Sequence, residues 1–187
     1  MDDLYIEKTS IEGLLKISRP VFPDERGFFH EVFRINDLES ALGDKFSPVQ
    51  VSHSLSIPKV IRAIHTEGWN KLVYPVTGKL FTVIVDLRPD SKTFLAKEEF
   101  IFDNTKKDSP RFALFLPKGV GNSLCVIGDE PVNYIYAVDE YWDNSKARGI
   151  AWDDPDIAID WPIKDPIISD RDKHNISLRD LFPEKFK

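Results

Sequence analysis

Cysteine is almost absent from this 187-residue chain, in which Cys125 is the only one. One thiol cannot form an internal disulfide, which fits a reducing compartment, and we therefore expect a cytoplasmic protein. No apolar run approaches the roughly 18 residues that span a bilayer. The acidic segment 1–4 has neither the basic nor the apolar region of a secretory signal. We expect no membrane partner.

Positive charge is also scarce, because 25 lysines and arginines face 31 aspartates and glutamates, for a net charge of -6. This balance argues against nucleic acid as a partner, since backbone binding needs a basic surface. The net charge does not exclude a pocket in which a few arginines bind one diphosphate. The chain also has no glycine-rich dinucleotide motif, so we predict no dinucleotide cofactor.

Residues that could bind a metal are few and scattered. The chain has four histidines but no His-x-His, and His53 and His65 are 12 positions apart. A histidine-based site in a β-barrel needs two such side chains close together, with a carboxylate and a further histidine. The stretch Pro117–Leu124, interpreted as a loop with two glycines, offers Asn122 where another ligand would lie. We predict no bound metal.

Aromatic residues, by contrast, make up 12% of the chain, and there are 13 prolines. Short apolar runs recur with turn residues between them, a pattern typical of an antiparallel sandwich or barrel. We predict one all-β domain over residues 1–187. The predicted strands are Leu4–Lys8, Leu14–Ile17, Phe28–Phe33, Val49–Leu55, Ile61–His65, Lys71–Val76, Lys79–Leu87, Thr93–Phe102, Arg111–Leu116, Leu124–Ile127 and Val132–Val138.

Two short helices are predicted at the periphery of this domain. The first covers Asp37–Leu42, with Asn36 as its N-cap and Gly43 as the residue that closes it. The second lies near Leu178–Leu181.

The segment around His65 is the strongest candidate for chemistry. An unbroken strand over 61–65 places Ala63 and His65 on one face and Arg62 on the other, unless a bulge intervenes. Lys71 follows after a short polar loop, so a base and a cation lie close in sequence. The simpler interpretation of a lone histidine is an inert residue on a barrel wall.

A histidine becomes an effective base when a carboxylate orients its ring, and Asp86 and Asp172 are both candidates. Arg26 and Arg62 lie beside apolar strand residues. Their side chains either extend to the surface or bind a phosphate through two hydrogen bonds, and the residues alone favour neither interpretation.

Aromatic residues cluster at the end of the strand region. Tyr134 and Tyr136 share one face of a predicted strand, which is more often core than catalytic. A phenol in a pocket can nevertheless donate a proton, and Tyr141 and Trp142 could stack on a nucleobase.

Together these residues resemble a known family. The segments that carry the resemblance are Asp24–Glu31, Val49–Gln50, His53–Ser54, Arg62–His65, Lys71–Val73, Gly78, Val85–Arg88, Pro117–Gly119, Tyr136, Tyr141, Trp152–Pro155, Ile159–Pro162 and Ile168–Asp172. In order and spacing they resemble the dTDP-4-dehydrorhamnose 3,5-epimerases, cupin-type sugar-nucleotide epimerases. The resemblance implies a cupin or jelly-roll antiparallel barrel that is metal-free, cofactor-free and homodimeric, its edge completing the partner's site.

The resemblance also implies roles for individual residues. His65 matches the base that removes a proton beside the sugar's 4-keto group, and Asp172 matches its carboxylate partner. Lys71 matches the cation that stabilises the enolate oxygen. Tyr136 matches the acid that returns a proton on the face opposite to the base. The positions that match substrate contacts are Arg26, Phe29, Glu31, Gln50, Arg62 and Tyr141, with Asn122 in the loop that borders the pocket.

Departures from the family pattern lie near the expected pocket. Asn122 belongs to a loop that usually carries a histidine, and Glu67 replaces a neutral amide. Three alternatives therefore stay open beside a dTDP-sugar 3,5-epimerase. One is a single-centre epimerase, at C3 or C5, for a related and possibly non-dTDP sugar such as a GDP-heptose. Another is a sugar-nucleotide-binding cupin without activity, and a metal-dependent cupin oxygenase is the least favoured.

Overall fold

The computed structural model describes residues 5–186, which form two facing sheets. The strands are β1 (Ile6–Lys8), β2 (Leu15–Ile17), β3 (Val21–Asp24), β4 (Gly27–His30), β5 (Gln50–Ser56), β6 (Val60–Glu67), β7 (Lys71–Pro75), β8 (Gly78–Asp86), β9 (Lys97–Asn104), β10 (Ala113–Leu116), β11 (Val120–Val126), β12 (Val132–Val138), β13 (Ala147–Gly149) and β14 (Ile167–Ile168). The helices are α1 (Ile35–Leu42), α2 (Asp170–Lys173) and α3 (Leu178–Leu181).

Antiparallel pairing dominates both sheets. The first sheet has the order β1-β2-β10-β7-β12-β5, and the second has the order β13-β6-β11-β8-β9. Strand β14 joins the outside of β6 in parallel, and β3 and β4 form a separate hairpin. Two antiparallel sheets that face each other and exchange successive strands make a jelly-roll barrel. The predicted all-β cupin fold with short peripheral helices is confirmed.

The interior of the barrel is apolar because alternate residues of each strand point inward. Leu80 and Ile84 of β8 pack there, whereas Phe81 and Val83 point to the outer face of the second sheet. The chain after β12 covers that outer face with apolar side chains such as Trp161. Helix α1 covers the outer face of the first sheet in the same way. The central strands of each sheet are therefore buried on both sides, which makes them a rigid support.

A bulge in β6 changes the face that its residues present. His65 pairs with Asn122 of β11, but Arg62 pairs with Leu124, so three steps along β6 match two along β11. Residues that flank such an extra position return to the same face. An unbroken strand would place Arg62 and His65 on opposite faces, but the bulge, which the prediction allowed for as an exception, brings them to the same face.

Most predicted strands are found within a few residues of their expected limits, but the stretch before Leu124 is not a loop. Strand β11 begins at Val120, so Asn122 lies on a central strand. A glycine is needed at position 121 because a Cβ atom there would lie 2.7 Å from Cδ1 of Leu87. Gly121 is therefore a close-packing residue of a strand, and the predicted loop is wrong at this position.

The helix predictions succeed in part. Helix α1 ends at Gly43, whose φ of 69° has the expected left-handed conformation, and α3 occupies Leu178–Leu181. Asn36 is not the N-cap, because α1 begins at Ile35 and Arg34 makes no capping hydrogen bond through its side chain. Leu4, where the first predicted strand starts, lies outside the described residues. Over residues 5–186, none of the helices has the length and apolar character needed to cross a membrane.

Candidate active site

A cavity of about 200 Å³ opens between the two sheets. It is lined by Ser54, Arg62, His65, Glu67, Lys71, Asn122, Ser123, Leu124, Tyr134, Tyr136, Trp142, Ala147 and Arg171. One wall consists of β6 and β11 from the second sheet, and the facing wall consists of β5, β7 and β12 from the first. Five of the predicted site residues thus meet in one place: Arg62, His65, Lys71, Asn122 and Tyr136.

His65 is held from behind by Asp172. Its Nε2 lies 2.7 Å from Oδ1 of Asp172, whose side chain is only 3% exposed. Burial alone would raise the pKa of Asp172, but the hydrogen bond with His65 and smaller contributions outweigh burial and lower that pKa. Asp172 is therefore a buried carboxylate anion that fixes the orientation of the imidazole.

Neighbouring groups hold Asp172 in turn. Its backbone N–H donates to Oγ of Ser169, which caps α2. Nδ2 of Asn175 donates to Oδ1 of Asp172 and to the carbonyl of Ala63 on β6. Gly149 makes room for this amide, since a Cβ atom at that position would lie 2.4 Å from Oδ1 of Asn175. The ring of His65 is thus positioned by a chain of contacts that begins outside the sheet.

Asp86, the other candidate partner of His65, belongs to a different network. Its carboxylate is fully buried and accepts hydrogen bonds from Arg88, Ser91 and Thr93. Burial favours a raised pKa, yet these hydrogen bonds dominate and lower the pKa of Asp86 to about 2. Asp86 joins the end of β8 to the turn that follows it, and Asp172 is the carboxylate that contacts His65.

Lys71 reaches across the cavity from the first sheet to the second. Its Nζ lies 2.7 Å from both carboxylate oxygens of Glu67 and 3.5 Å from Oδ1 of Asn122. The same ammonium lies 5.2 Å from the centre of the Tyr136 ring. The side chain of Lys71 is 9% exposed, so its charge acts in a place from which most water is excluded.

Two tyrosines of β12 complete the wall that faces His65. Tyr134 and Tyr136 are 6.3 Å apart between ring centres, and Tyr134 accepts a hydrogen bond of 3.4 Å from Nδ2 of Asn122. Burial and, after it, the negative charge of Glu67 raise the pKa of Tyr134 well above its ordinary value, so this phenol stays protonated. Tyr136 is the less buried of the two.

Other predicted contact residues lie outside the cavity. Arg26 and Phe29 belong to the exposed β3–β4 hairpin, where Arg26 pairs with Asp24 at 2.6 Å. Glu31 follows this hairpin and forms an ion pair of 2.9 Å with Arg34. The structure does not bring these residues to the cavity within one chain.

Gln50 and Tyr141 lie near the mouth. Oε1 of Gln50 accepts the backbone N–H of Trp142, whose ring lines the cavity. Tyr141 is 72% exposed and lines a shallow groove beside the mouth. Gln50 can therefore act by placing Trp142, and Tyr141 presents an open aromatic face.

Several lining residues had no predicted role. Tyr134 could have been found because it lies two positions from Tyr136 on one strand face, and Arg171 because it precedes Asp172. The sequence marks Glu67 as a departure from the family pattern, but its contact with Lys71 does not follow from the sequence. Over residues 5–186 there is no cluster of three or more histidine, cysteine or acidic side chains that could hold a metal ion. His53 lies on β5 and contacts Asn133, not the cavity.

Fold and site together define a cupin barrel with a histidine and a phenol on facing walls. The family model for dTDP-4-dehydrorhamnose 3,5-epimerase matches residues 8–180. The dTDP-4-dehydrorhamnose 3,5-epimerase of Shigella flexneri is 37% identical over 90% of this chain and 93% of its own. The dTDP-4-dehydrorhamnose 3-epimerase of Streptomyces niveus is 33% identical over 94% of this chain and 84% of its own.

A solved structure gives the same result. The dTDP-6-deoxy-D-glucose-3,5-epimerase of Legionella pneumophila, in complex with dTDP-4-keto-L-rhamnose, has a TM-score of 0.85 and 30% identity, and the match covers 96% of this chain and 95% of that one. The chain belongs to the dTDP-4-dehydrorhamnose 3,5-epimerase family. The predictions of this family and of an isomerase are confirmed.

Proposed function

We propose that this protein epimerises a nucleoside-diphosphate 4-keto sugar at carbon 3, carbon 5 or both. A proton leaves a carbon next to the ketone and returns on the opposite face. The observation that carries the proposal is the placement of His65 and Tyr136 on facing walls of one cavity. Inversion of a carbon centre needs a base and an acid on opposite sides of it.

His65 acts as the base in this proposal. Nε2 faces Asp172, which leaves Nδ1 to take the proton from the sugar. The buried carboxylate fixes the ring and stabilises the imidazolium that forms. General acid–base help of this kind is worth about 10²–10⁴-fold in rate, so further stabilisation of the carbanion is required.

Lys71 supplies that stabilisation at the enolate oxygen. A preorganised donor at a developing oxyanion contributes about 10²–10³-fold. The low exposure of Lys71 favours a strong effect, since charges interact more strongly where water is excluded. Tyr136, beside this ammonium, then returns a proton to the other face of the carbon.

The nucleotide end of the substrate lies towards the mouth. Arg62 and Arg171 are exposed lining residues with the charge and fork geometry that suit a diphosphate. In a homodimer, Arg26 and Phe29 on the β3–β4 hairpin would contribute to the site of the partner. The edge strand β5, with Val51 and Leu55 exposed, supports a second copy as a neighbour. We place this enzyme in the cytoplasm, since its single cysteine cannot form an internal disulfide.

Epimerisation at a single centre is the second candidate. The Streptomyces niveus relative is named as a 3-epimerase, so the family includes enzymes of this kind. Asn122 and Glu67 border the cavity where this chain departs from the family pattern. A non-dTDP substrate, such as a GDP-linked heptose, fits the same departures.

Deuterium exchange tests the proposal. The wild-type protein is incubated in D₂O with dTDP-linked and GDP-linked 4-keto sugars, and deuterium at carbons 3 and 5 is followed by NMR. Incorporation at both carbons identifies a 3,5-epimerase, and incorporation at one identifies a single-centre enzyme. The variant His65→Ala should bind the sugar nucleotide, keep its fold and exchange no deuterium. Binding without exchange by the wild type would identify a non-catalytic cupin and overturn the proposal.

A further inference from the structure

Glu67 places a fixed carboxylate inside the cavity. It lies two residues after His65 on β6, so both side chains share the face that lines the cavity. Its backbone is held on both sides, because its carbonyl accepts the N–H of Gly119 and its Cα pairs with Ala147 of β13. The side chain is 16% exposed. Its position is therefore set by the sheet and not by a mobile loop.

The groups around Glu67 form a polar end to the cavity. Both carboxylate oxygens contact Lys71, which approaches Asn122, and Asn122 donates to Tyr134. A carboxylate has about four acceptor positions, and the ammonium occupies a part of them. The remaining lone pairs can accept hydrogen bonds from a ligand.

This end of the cavity suits a sugar and not a diphosphate. Glu67 balances the charge of Lys71, so this end offers no net positive charge to a diphosphate, whereas the exposed lining residues Arg62 and Arg171 do. A sugar hydroxyl, by contrast, can donate directly to the carboxylate. Hydrogen bonds to charged groups are the stronger ones and fix orientation as well as affinity.

We propose that Glu67 is a specificity-determining residue that accepts a hydrogen bond from a sugar hydroxyl close to the ketone. The inference rests on the proposed function, since it takes Lys71 as the contact of the ketone oxygen. An oxygen held by Nζ at about 2.8 Å is close to Glu67, whose oxygens lie 2.7 Å from the same atom. The hydroxyl on carbon 3 and one on the exocyclic carbon attached to carbon 5 are the two within reach.

Three matched substrates distinguish a hydrogen bond from the 3-hydroxyl from one that the exocyclic hydroxyl donates. They are a 4-keto-6-deoxy sugar, its 3-deoxy counterpart and its counterpart with a hydroxyl on carbon 6, all linked to the nucleotide that the wild type uses. Deuterium wash-in gives kcat/KM for each. If Glu67 binds the 3-hydroxyl, the 3-deoxy sugar is slower by about 10–100-fold, the effect of one hydrogen bond to a charged group. If it binds the exocyclic hydroxyl, the 6-hydroxy sugar is faster by a similar factor.

Variants at position 67 decide whether the carboxylate causes the preference. Glu67→Leu should abolish the preference between the sugars, and Glu67→Gln, whose amide still accepts, should retain a part of it. Thermal unfolding checks that both variants fold. If Glu67→Leu does not fold, Glu67→Gln alone decides the result. Equal rates with all three sugars, or a preference unchanged in the variants, overturn the inference while exchange itself persists. No exchange with any sugar would instead overturn the proposed function, and this inference with it.

Discussion

Arg62 and His65 face the same cavity although they lie three residues apart on one strand. A regular strand would place them on opposite faces. The bulge in β6 restores them to one side and aims both at the facing sheet. The two residues that the proposed function assigns to the diphosphate and to proton removal thus lie on one wall. Bulges are common beside active sites because they redirect a side chain in this way.

The contact between His65 and Asp172 leads to a first prediction. Asp172→Asn keeps the size of the side chain but removes the charge that orients and stabilises the imidazolium. We expect the rate of deuterium exchange to fall by about 10²–10⁴-fold, with a smaller change in substrate binding. NMR measures the exchange rate, and calorimetry measures the affinity for the sugar nucleotide.

A matched control for this variant is His53→Asn. His53 is exposed and contacts Asn133 on the first sheet, outside the cavity. Its replacement should leave the exchange rate close to that of the wild type. An exchange rate in Asp172→Asn as high as in His53→Asn would show that the carboxylate has no part in the reaction.

The two tyrosines of β12 should differ in their effect on product. Tyr136→Phe removes the acid but leaves the base, so deuterium still enters on the face of His65 while inversion slows by about 10²–10⁴-fold. Tyr134→Phe removes a hydroxyl that accepts from Asn122, and it should preserve the ratio of inversion to exchange. NMR and chromatography of the sugar products give both rates. A lower ratio in Tyr134→Phe than in Tyr136→Phe would assign the acid to Tyr134.

Much of the barrel could be predicted from local patterns. The alternation along β8 and β12 gave their limits to within a residue or two, and it placed Tyr134 beside Tyr136. Such patterns depend on neighbours in the chain, where side-chain direction repeats every two residues. The positive φ of Gly43 likewise follows from a local helix end.

Contacts between distant residues could not be predicted in this way. Asp172 meets His65 across 107 positions, so local patterns leave Asp86 as an equal candidate, and only the family resemblance favours Asp172. The glycine at position 121 is required by packing against Leu87, which no local rule distinguishes from a loop glycine. The ion pair of Glu67 and Lys71 crosses from one sheet to the other. The first two contacts depend on how segments far apart in the chain pack beside or on the second sheet. The third joins residues only four positions apart, but it depends on how the two sheets face each other.

Gly149 should be sensitive to a single added methyl group. In Gly149→Ala the new Cβ atom would meet the amide of Asn175 at 2.4 Å, and that amide holds Asp172. We expect an overpacking cost of about 1–3 kcal/mol in the free energy of unfolding, and a loss of exchange rate from the displaced carboxylate. Urea unfolding and deuterium exchange measure the two effects.

Gly68→Ala serves as the comparison for that variant. A Cβ atom on Gly68 would be 3.6 Å from the nearest atom of Lys146, an ordinary contact. This variant should remain close to the wild type in stability. If Gly149→Ala matched it in both stability and exchange rate, Asn175 would have no role in positioning Asp172.

The buried carboxylate of Asp86 should make stability depend on pH in the acid range. Its pKa is lowered from 3.8 to about 2 by hydrogen bonds from Arg88, Ser91 and Thr93. A lowered pKa in the folded state means that the stabilisation is fully present above pH 4 and is lost as pH falls through about 2. The shift corresponds to about 2 kcal/mol of unfolding free energy. In Asp86→Asn this part of the pH dependence should disappear, since the amide does not titrate. Urea unfolding of the two proteins between pH 5 and pH 2 measures the difference, and parallel curves would show that Asp86 is not the group responsible.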